Sequence, residues 1–138
     1  MLSRTYILLF LSPLLLQAEI SFNKDVRPIL SAKCIVCHGP DDGVDAKGKE
    51  NRKAGLRLDT PEGVYREKDG MAAIVPNSLQ DSEAWIRITS KDDPMPPADG
   101  HAKPLTYDEK ELLKKWIEEG AEYEDFWEIG RASCRERV

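Results

Sequence analysis

The feature that most constrains this chain is the run Cys34-Ile35-Val36-Cys37-His38, in which two cysteines three positions apart are followed directly by a histidine. This C-x-x-C-H spacing is the attachment pattern of c-type haem. Near a helix end, two thiols at this spacing reach both vinyl-derived carbons of one porphyrin edge, and the next residue projects an imidazole towards the iron. The run predicts one covalently bound haem with His38 as the proximal axial ligand, its other ring nitrogen oriented by a backbone carbonyl.

Three other uses of the cysteine pair compete with this interpretation. A thioredoxin-like C-x-x-C motif requires a strand-loop-helix setting, which the sequence lacks. A tetrahedral zinc site needs four ligands. Besides the C-x-x-C-H run, the only other cysteine or histidine ligands are His101 and Cys134, and Cys134 lies in a C-terminal segment that we interpret below as not native. A disulfide between Cys34 and Cys37 stays open in an oxidising compartment.

A six-coordinate iron needs a second axial ligand, for which the sequence offers Met95 and Met71. Met95 lies in the run Asp-Pro-Met-Pro-Pro, whose prolines restrict the backbone and hold the thioether on a stiff loop. Met71, beside Gly70, is more simply a core or surface side chain. We predict Met95 as the sixth ligand, with His101 or an open position as alternatives. Methionine ligation raises the reduction potential and closes the iron to small molecules, which favours electron transfer.

The two ends of the chain differ from its middle. Residues 1–18 contain Arg4, an apolar run over residues 6–16 and a small residue, Ala18, which together are typical of a secretory signal peptide. The run is too short for the roughly 20 residues of a membrane span, and an uncleaved signal anchor is the alternative. We expect an exported protein, in the periplasm or at the cell surface, where c-type haem is attached.

Residues 128–138 lack apolar periodicity and carry Arg131, Arg135 and Arg137. Their codons resemble the reverse complement of a common short-read sequencing adapter, and a solvated basic tail is the alternative. We interpret the segment as adapter read-through, so that Cys134 is not native and the natural protein continues beyond it.

Residues 19–127 are expected to form one small, mainly α domain with long loops around a covalent haem. Asp25 is predicted to cap a first helix, Thr60-Pro61 to begin a second that ends near Gly70, and residues 78–88 to form a third. The clearest helix is Tyr107–Glu119, which has a capping box at Thr106 and an apolar stripe. No useful strand pattern is present, and the small core suggests that something besides protein fills the middle. The net charge of −5, without a basic run, argues against nucleic-acid binding.

Five segments together resemble the planctomycete-type cytochrome c domain, over nearly all of residues 20–127. They are residues 21–30, the Cys37-His38-Gly39-Pro40-Asp41 run, residues 53–59, Met95-Pro96-Pro97 and residues 113–123. The resemblance implies a class I-like helical cytochrome c fold with His38 and Met95 as axial ligands. It also implies an N-terminal position in a larger secreted protein with further domains downstream. The loop containing His101 departs from the pattern and leaves that residue without a role.

The expected function is single-electron exchange with an unidentified redox partner protein, not catalysis. The alternative is a haem-binding sensor or interaction module of a larger surface protein, and a third reading makes the domain an electron relay for a downstream enzymatic region. Membrane contact is expected only through an uncleaved signal segment.

Other side chains have simpler roles. Arg57 is a candidate propionate partner but more simply an ion-paired arginine, and Trp85 and Trp116 suit helix-core packing as well as a porphyrin edge. An acidic cluster is a candidate for steering a basic redox partner but more simply a solvated helix end; it consists of Glu118, Glu119, Glu122, Glu124 and Asp125.

Overall fold

The computed structural model describes residues 19–124 except 45–47, 49, 99 and 101, so both terminal segments discussed above lie outside the described residues. A π-helical turn, Phe22–Val26, leads into α1 (Arg27–Lys33), and α2 (Ile35–His38) follows at once. A 3-10 turn (Lys53–Gly55) precedes α3 (Pro61–Tyr65), a hairpin of β1 (Glu67–Lys68) and β2 (Met71–Ala72), α4 (Glu83–Thr89) and α5 (Tyr107–Glu118). The mainly α prediction is confirmed.

The first helical segment starts earlier than the sequence predicts. Asp25 lies inside the π-helical turn and does not cap α1; its carboxylate accepts a hydrogen bond from the Ser21 backbone N–H at 3.0 Å. Pro28 lies in the first turn of α1, where its missing N–H leaves no helical bond unmade. Cys34, at φ −120°, separates α1 from α2, and the Cys34 N–H still donates to the Leu30 carbonyl.

The last helix, α5, has the predicted position and cap. The Thr106 hydroxyl accepts from the Glu109 N–H, and the Glu109 side chain accepts from the Thr106 N–H, which completes a capping box. Its buried face consists of Leu113, Trp116 and Ile117. Beyond the helix, Gly120 adopts φ +107°, a left-handed stop that favours glycine.

Two predictions for the middle of the chain are wrong. The second helix ends at Tyr65 and not near Gly70, because the chain turns into the β1–β2 hairpin, with Glu67 opposite Ala72. These two-residue strands are too short to produce the alternating pattern that the sequence lacks. The third helix begins at Glu83, since the Ser82 hydroxyl bonds the backbone of Val75 and Ser78 and holds the preceding residues in a loop.

One apolar core joins the ends of the domain to its middle. Phe22 from the π-helical turn packs against Trp116 of α5, with ring centroids 5.5 Å apart. The remaining buried members come from the π-helical turn, α1, α3, α4 and α5 and from the segments between and after the elements: Val26, Ile29, Leu30, Leu58, Val64, Ala73, Ile74, Ile88, Leu105, Leu113, Ile117 and Ala121. Protein side chains form this core, and the expectation that something besides protein also occupies the middle stays a prediction.

Candidate functional site

The C-x-x-C-H run lies at the junction of α1 and α2. Cys34 is partly buried and packs against the core, and Cys37, one turn later, is also partly buried. Both thiols are free. The N–H groups of Cys37 and His38 donate to the Cys34 carbonyl, so a single helical turn sets the relative positions of the three side chains. Val36, between the two cysteines, is 60% exposed.

The environment of Cys34 keeps its sulfur protonated. Burial raises the pKa of the Cys34 thiol to about 11, and the nearby Cys37 and Glu109 add to the effect. A nucleophilic cysteine in a redox-active C-x-x-C motif has a lowered pKa instead. The raised pKa therefore argues against a thioredoxin-like role. Cys34 is instead a neutral thiol that packs against apolar side chains.

The ring of His38 is held by the main chain. Its Nδ1 lies 3.1 Å from the carbonyl oxygen of Lys53. A carbonyl only accepts, so Nδ1 carries the proton in this contact and Nε2 keeps its lone pair. Burial lowers the pKa of His38, which keeps the imidazole neutral. A neutral imidazole with one nitrogen bonded to a carbonyl is the usual state of a metal-binding histidine.

The carbonyl that meets His38 comes from a tight turn. Ala54 and Gly55 have φ values of +56° and +62°, so the Lys53–Gly55 turn is left-handed at two successive residues. A second contact closes the arrangement, because the Leu58 N–H donates to the His38 carbonyl at 2.7 Å. The sequence predicts that a carbonyl orients His38, and the structure identifies Lys53 as its source.

An apolar wall adjoins the first cysteine. A narrow cavity beside Cys34 is lined by side chains of α1, α4 and α5, with Leu58, Val64 and Ile74 completing it. Its volume of about 30 Å³ matches about one water molecule. The cavity thus marks an apolar surface beside Cys34.

Met95 lies on the connection between α4 and α5. It is partly buried and packs against the same core as Cys34, its N–H donates to the Arg87 carbonyl at 3.1 Å, and Pro96 after it is buried. Met71, by contrast, is 54% exposed on β2. Met95 as an axial ligand stays a prediction, and His101 lies outside the described residues.

The residues present fit a covalent haem. The two free thiols could attach a porphyrin, the imidazole with its Nε2 available and the core-packed Met95 thioether are of the types that ligate a c-type haem iron, and an apolar wall stands beside the first thiol. Among the described residues, no group of three or more His, Cys, Asp or Glu side chains is arranged to hold a metal ion. Within the same residues, no helix is both long and apolar enough to cross a bilayer.

The remaining candidates have structural roles. The Arg57 guanidinium forms a bidentate pair of hydrogen bonds with the Asp59 carboxylate, which lowers the pKa of Asp59. The Trp116 Nε1–H donates to the Glu122 carbonyl at 2.9 Å, and Trp85 lines the cavity beside Cys34. In the acidic segment Glu119 pairs with Lys115 and Glu124 bonds the π-helical turn, while Asp125 lies outside the described residues.

Two comparisons with known proteins found sequences similar to this chain. The family model described as Planctomycete cytochrome C matches residues 34–99, a range that contains the C-x-x-C-H run and Met95. The hydrazine synthase subunit alpha of Kuenenia stuttgartiensis is 27% identical over 135 aligned residues. The alignment covers 79% of this chain and 16% of that protein, so the chain spans less than a fifth of this relative. No solved structure matches the chain significantly.

Proposed function

Residues 34–99 belong to the planctomycete cytochrome c family, and from this membership we propose that the chain binds one haem covalently and carries single electrons. Cys34 and Cys37 would hold the macrocycle, and His38 Nε2 and Met95 Sδ would be the axial ligands. When bound, the haem supplies a one-electron couple between Fe(III) and Fe(II). The protein's task is to fix the ligands, exclude water and set the potential.

The attachment chemistry needs no external oxidant. Cys34 and Cys37 would hold the group through thioether bonds, each made by adding one thiol S–H across one vinyl C=C bond, with the hydrogen on the neighbouring vinyl carbon. Cys34 suits this role because its sulfur is a neutral thiol seated against an apolar wall. Cys37 is one helical turn away, the distance that a single porphyrin edge requires.

The observation that carries the proposal is the hydrogen bond from His38 Nδ1 to the Lys53 carbonyl. It selects the tautomer in which Nε2 is the ligating nitrogen, and it makes the imidazole a stronger donor. Any partly buried histidine needs a partner for its ring N–H, so the bond supports the proposal through the tautomer that it selects and not through its mere presence. The lowered pKa of His38 supports the same role, since protons do not compete for Nε2 near neutral pH.

Covalent attachment is tested by co-expression with a c-type haem maturation system. The reduced protein should show a sharp α band, and the haem should remain bound through denaturation and raise the mass of the tryptic peptide containing residues 34–38. The double variant Cys34→Ser/Cys37→Ser should lose the covalent haem. Wild-type protein whose cysteines are free or joined only to each other would overturn the proposal.

The Met95 assignment is tested separately with carbon monoxide and the reduced protein. Wild-type protein should resist carbon monoxide because its sixth position is filled, while Met95→Ala should bind it and have a lower reduction potential. Met71→Ala, at the exposed methionine of β2, is the matched control and should behave as wild type. Ready binding by the wild type would favour the haem-sensor function over electron transfer.

We also propose that the domain serves a larger assembly. The relative from Kuenenia stuttgartiensis is by name a subunit of a synthase, and its length exceeds that of this chain several-fold. This supports an electron-relay role beside an enzymatic region, with a separate redox protein as the other partner. Export to the periplasm or cell surface follows from the haem proposal, because c-type haem is attached outside the cytoplasm. A fusion of residues 1–18 to a reporter active only after export would test this.

A further inference from the structure

We propose that Arg52 is a positioning residue for the axial histidine, an inference that rests on the proposed function. Arg52 lies next to Lys53 in the chain, and its side chain reaches back to the residues that follow His38. The Nε–H donates to the Gly39 carbonyl at 2.9 Å, and Nη2 donates to the Pro40 carbonyl at 2.6 Å. One guanidinium therefore holds two successive carbonyls.

The two hydrogen bonds that Arg52 donates to the Gly39 and Pro40 carbonyls are called the Arg52 fork. The guanidinium that makes them is less exposed to solvent than the carboxylate of Asp42, its ion-pair partner. The Arg52 side chain is 19% exposed, whereas Asp42, whose carboxylate lies 3.8 Å away, is 83% exposed. An exposed ion pair at this distance contributes little. Hydrogen bonds from a charged donor to carbonyls contribute more, and here the bond to Gly39 is partly buried while the bond to Pro40 is exposed. Two such bonds fix direction as well as distance. The position of Arg52 is thus set by the backbone after His38 and not by Asp42.

The backbone after His38 needs this support. A Cβ on Gly39 would overlap the Ile35 carbonyl oxygen, so the chain makes a close turn as α2 ends. This turn leaves the Gly39 and Pro40 carbonyls outside the helix, and Arg52 binds both. The adjacent Lys53 carbonyl meets the His38 ring. The dipeptide Arg52-Lys53 therefore holds both the ring and the backbone that follows it.

This arrangement has a consequence for the iron. The Nδ1 hydrogen bond increases the donor strength of the imidazole, and a stronger donor favours the ferric state. If the Arg52 fork is lost, the segment after His38 can shift relative to Lys53, and this hydrogen bond lengthens. The population of the ferrous state, relative to the ferric state, should then increase at a fixed ambient potential.

The test compares haem-loaded wild-type protein with Arg52→Met and Arg52→Lys. In both variants the ferrous-to-ferric ratio at fixed potential should rise about tenfold, equivalent to about 59 mV for one electron. The His38 Nδ1 proton, followed by NMR in the ferrous state, should exchange faster with solvent. Arg52→Lys keeps the charge but cannot bond both carbonyls in the same way, so it separates geometry from charge and serves if Arg52→Met does not fold.

Arg66→Met is the matched control, because Arg66 is an exposed arginine at the end of α3 and its loss changes the net charge equally. It should leave the potential and proton exchange unchanged. Arg52 variants with wild-type potential and exchange would overturn the inference while leaving the proposed function intact. A shift in Arg52→Met that Arg52→Lys reverses would also overturn it, in favour of a pure charge effect. Absence of covalent haem from the wild type would instead refute the proposed function itself.

Discussion

Cys34 and Cys37 belong to one motif but have different surroundings. Cys34 packs against the core, and its burial raises the pKa of the thiol from the ordinary value of 9.0 to about 11. The folded protein therefore resists ionising this sulfur. The contribution of this thiol to the free energy of unfolding is fully present below pH 9.0, where the thiol is neutral in both the folded and the unfolded state. It is lost as the pH rises from 9.0 towards 11.

We predict that in haem-free protein Cys34 reacts with iodoacetamide more slowly than Cys37 at about pH 8, because the thiolate is the reactive form. The Cys34 rate should continue to rise up to about pH 11. Peptide mapping by mass spectrometry after timed quenching measures both rates, and equal rates in urea provide the control. A Cys34 that reacts first in folded protein would show that its thiol is activated.

Gly63 in α3 is constrained by close packing. A Cβ there would overlap the Arg57 carbonyl oxygen and the Arg57 Cβ. Replacing a helical glycine with alanine ordinarily favours the helix by about 1 kcal/mol. We predict the opposite for Gly63→Ala, a loss of about 1–3 kcal/mol in the free energy of unfolding, because the backbone of residue 57 must move. Urea unfolding measures this, and Glu62→Ala, at an exposed position of the same helix, should change little.

At the scale of single residues, the sequence predicts the donors better than their supports. The thiols, His38 and Met95 can be proposed because their chemistry is specific to their side chains. Lys53 acts through its backbone carbonyl, a group that every residue has, so no sequence pattern marks it. Arg52 is missed for a related reason, since the two carbonyls that it binds lie 12 and 13 positions earlier in the chain.

Among the elements, α5 was the most predictable because its signals are local. The capping box, apolar stripe and terminal glycine all fall within one continuous segment. We predict that Thr106→Ala lowers the free energy of unfolding by about 1 kcal/mol, through loss of the bond to the Glu109 N–H. Thr106→Ser, which keeps the hydroxyl, should stay close to wild type in urea unfolding. If both variants lose the same amount, the cap is not the cause.

The elements that the sequence defines poorly depend mostly on less local information. The start of α4 is delayed by the buried Ser82 hydroxyl, whose partners were not evident before the fold was known. The β1–β2 hairpin, however, had a local signal. Asp69-Gly70, with φ values of +56° and +79°, is the Asp-Gly pair typical of two-residue hairpin turns, although the flanking strands are too short to show alternation.

Across the whole molecule, the beginning and end of the described domain meet at Glu124. Its carboxylate accepts from the Phe22 N–H at 2.6 Å, the Ser21 hydroxyl at 3.1 Å and the Asn23 Nδ2 at 2.8 Å. The Glu124 carbonyl also accepts from Arg27 Nη2 at 2.7 Å. These bonds hold the π-helical turn beside the segment after α5, where Phe22 packs against Trp116 and Tyr123.

We predict that Glu124→Ala lowers the free energy of unfolding by about 2–3 kcal/mol, because a charged acceptor is removed from three donors in a partly buried site. The hydrogen bond from the Arg27 side chain to the backbone carbonyl of residue 124 should remain. The π-helical turn and the segment after α5 should therefore loosen without separating. Hydrogen exchange should therefore increase at the Phe22 amide and less at amides in the middle of α5. Glu118→Ala, an exposed acidic residue in α5, removes the same charge and should have little effect on either measurement. Equal losses from the two variants would mean that net charge, and not the contacts of Glu124, holds the ends of the domain together.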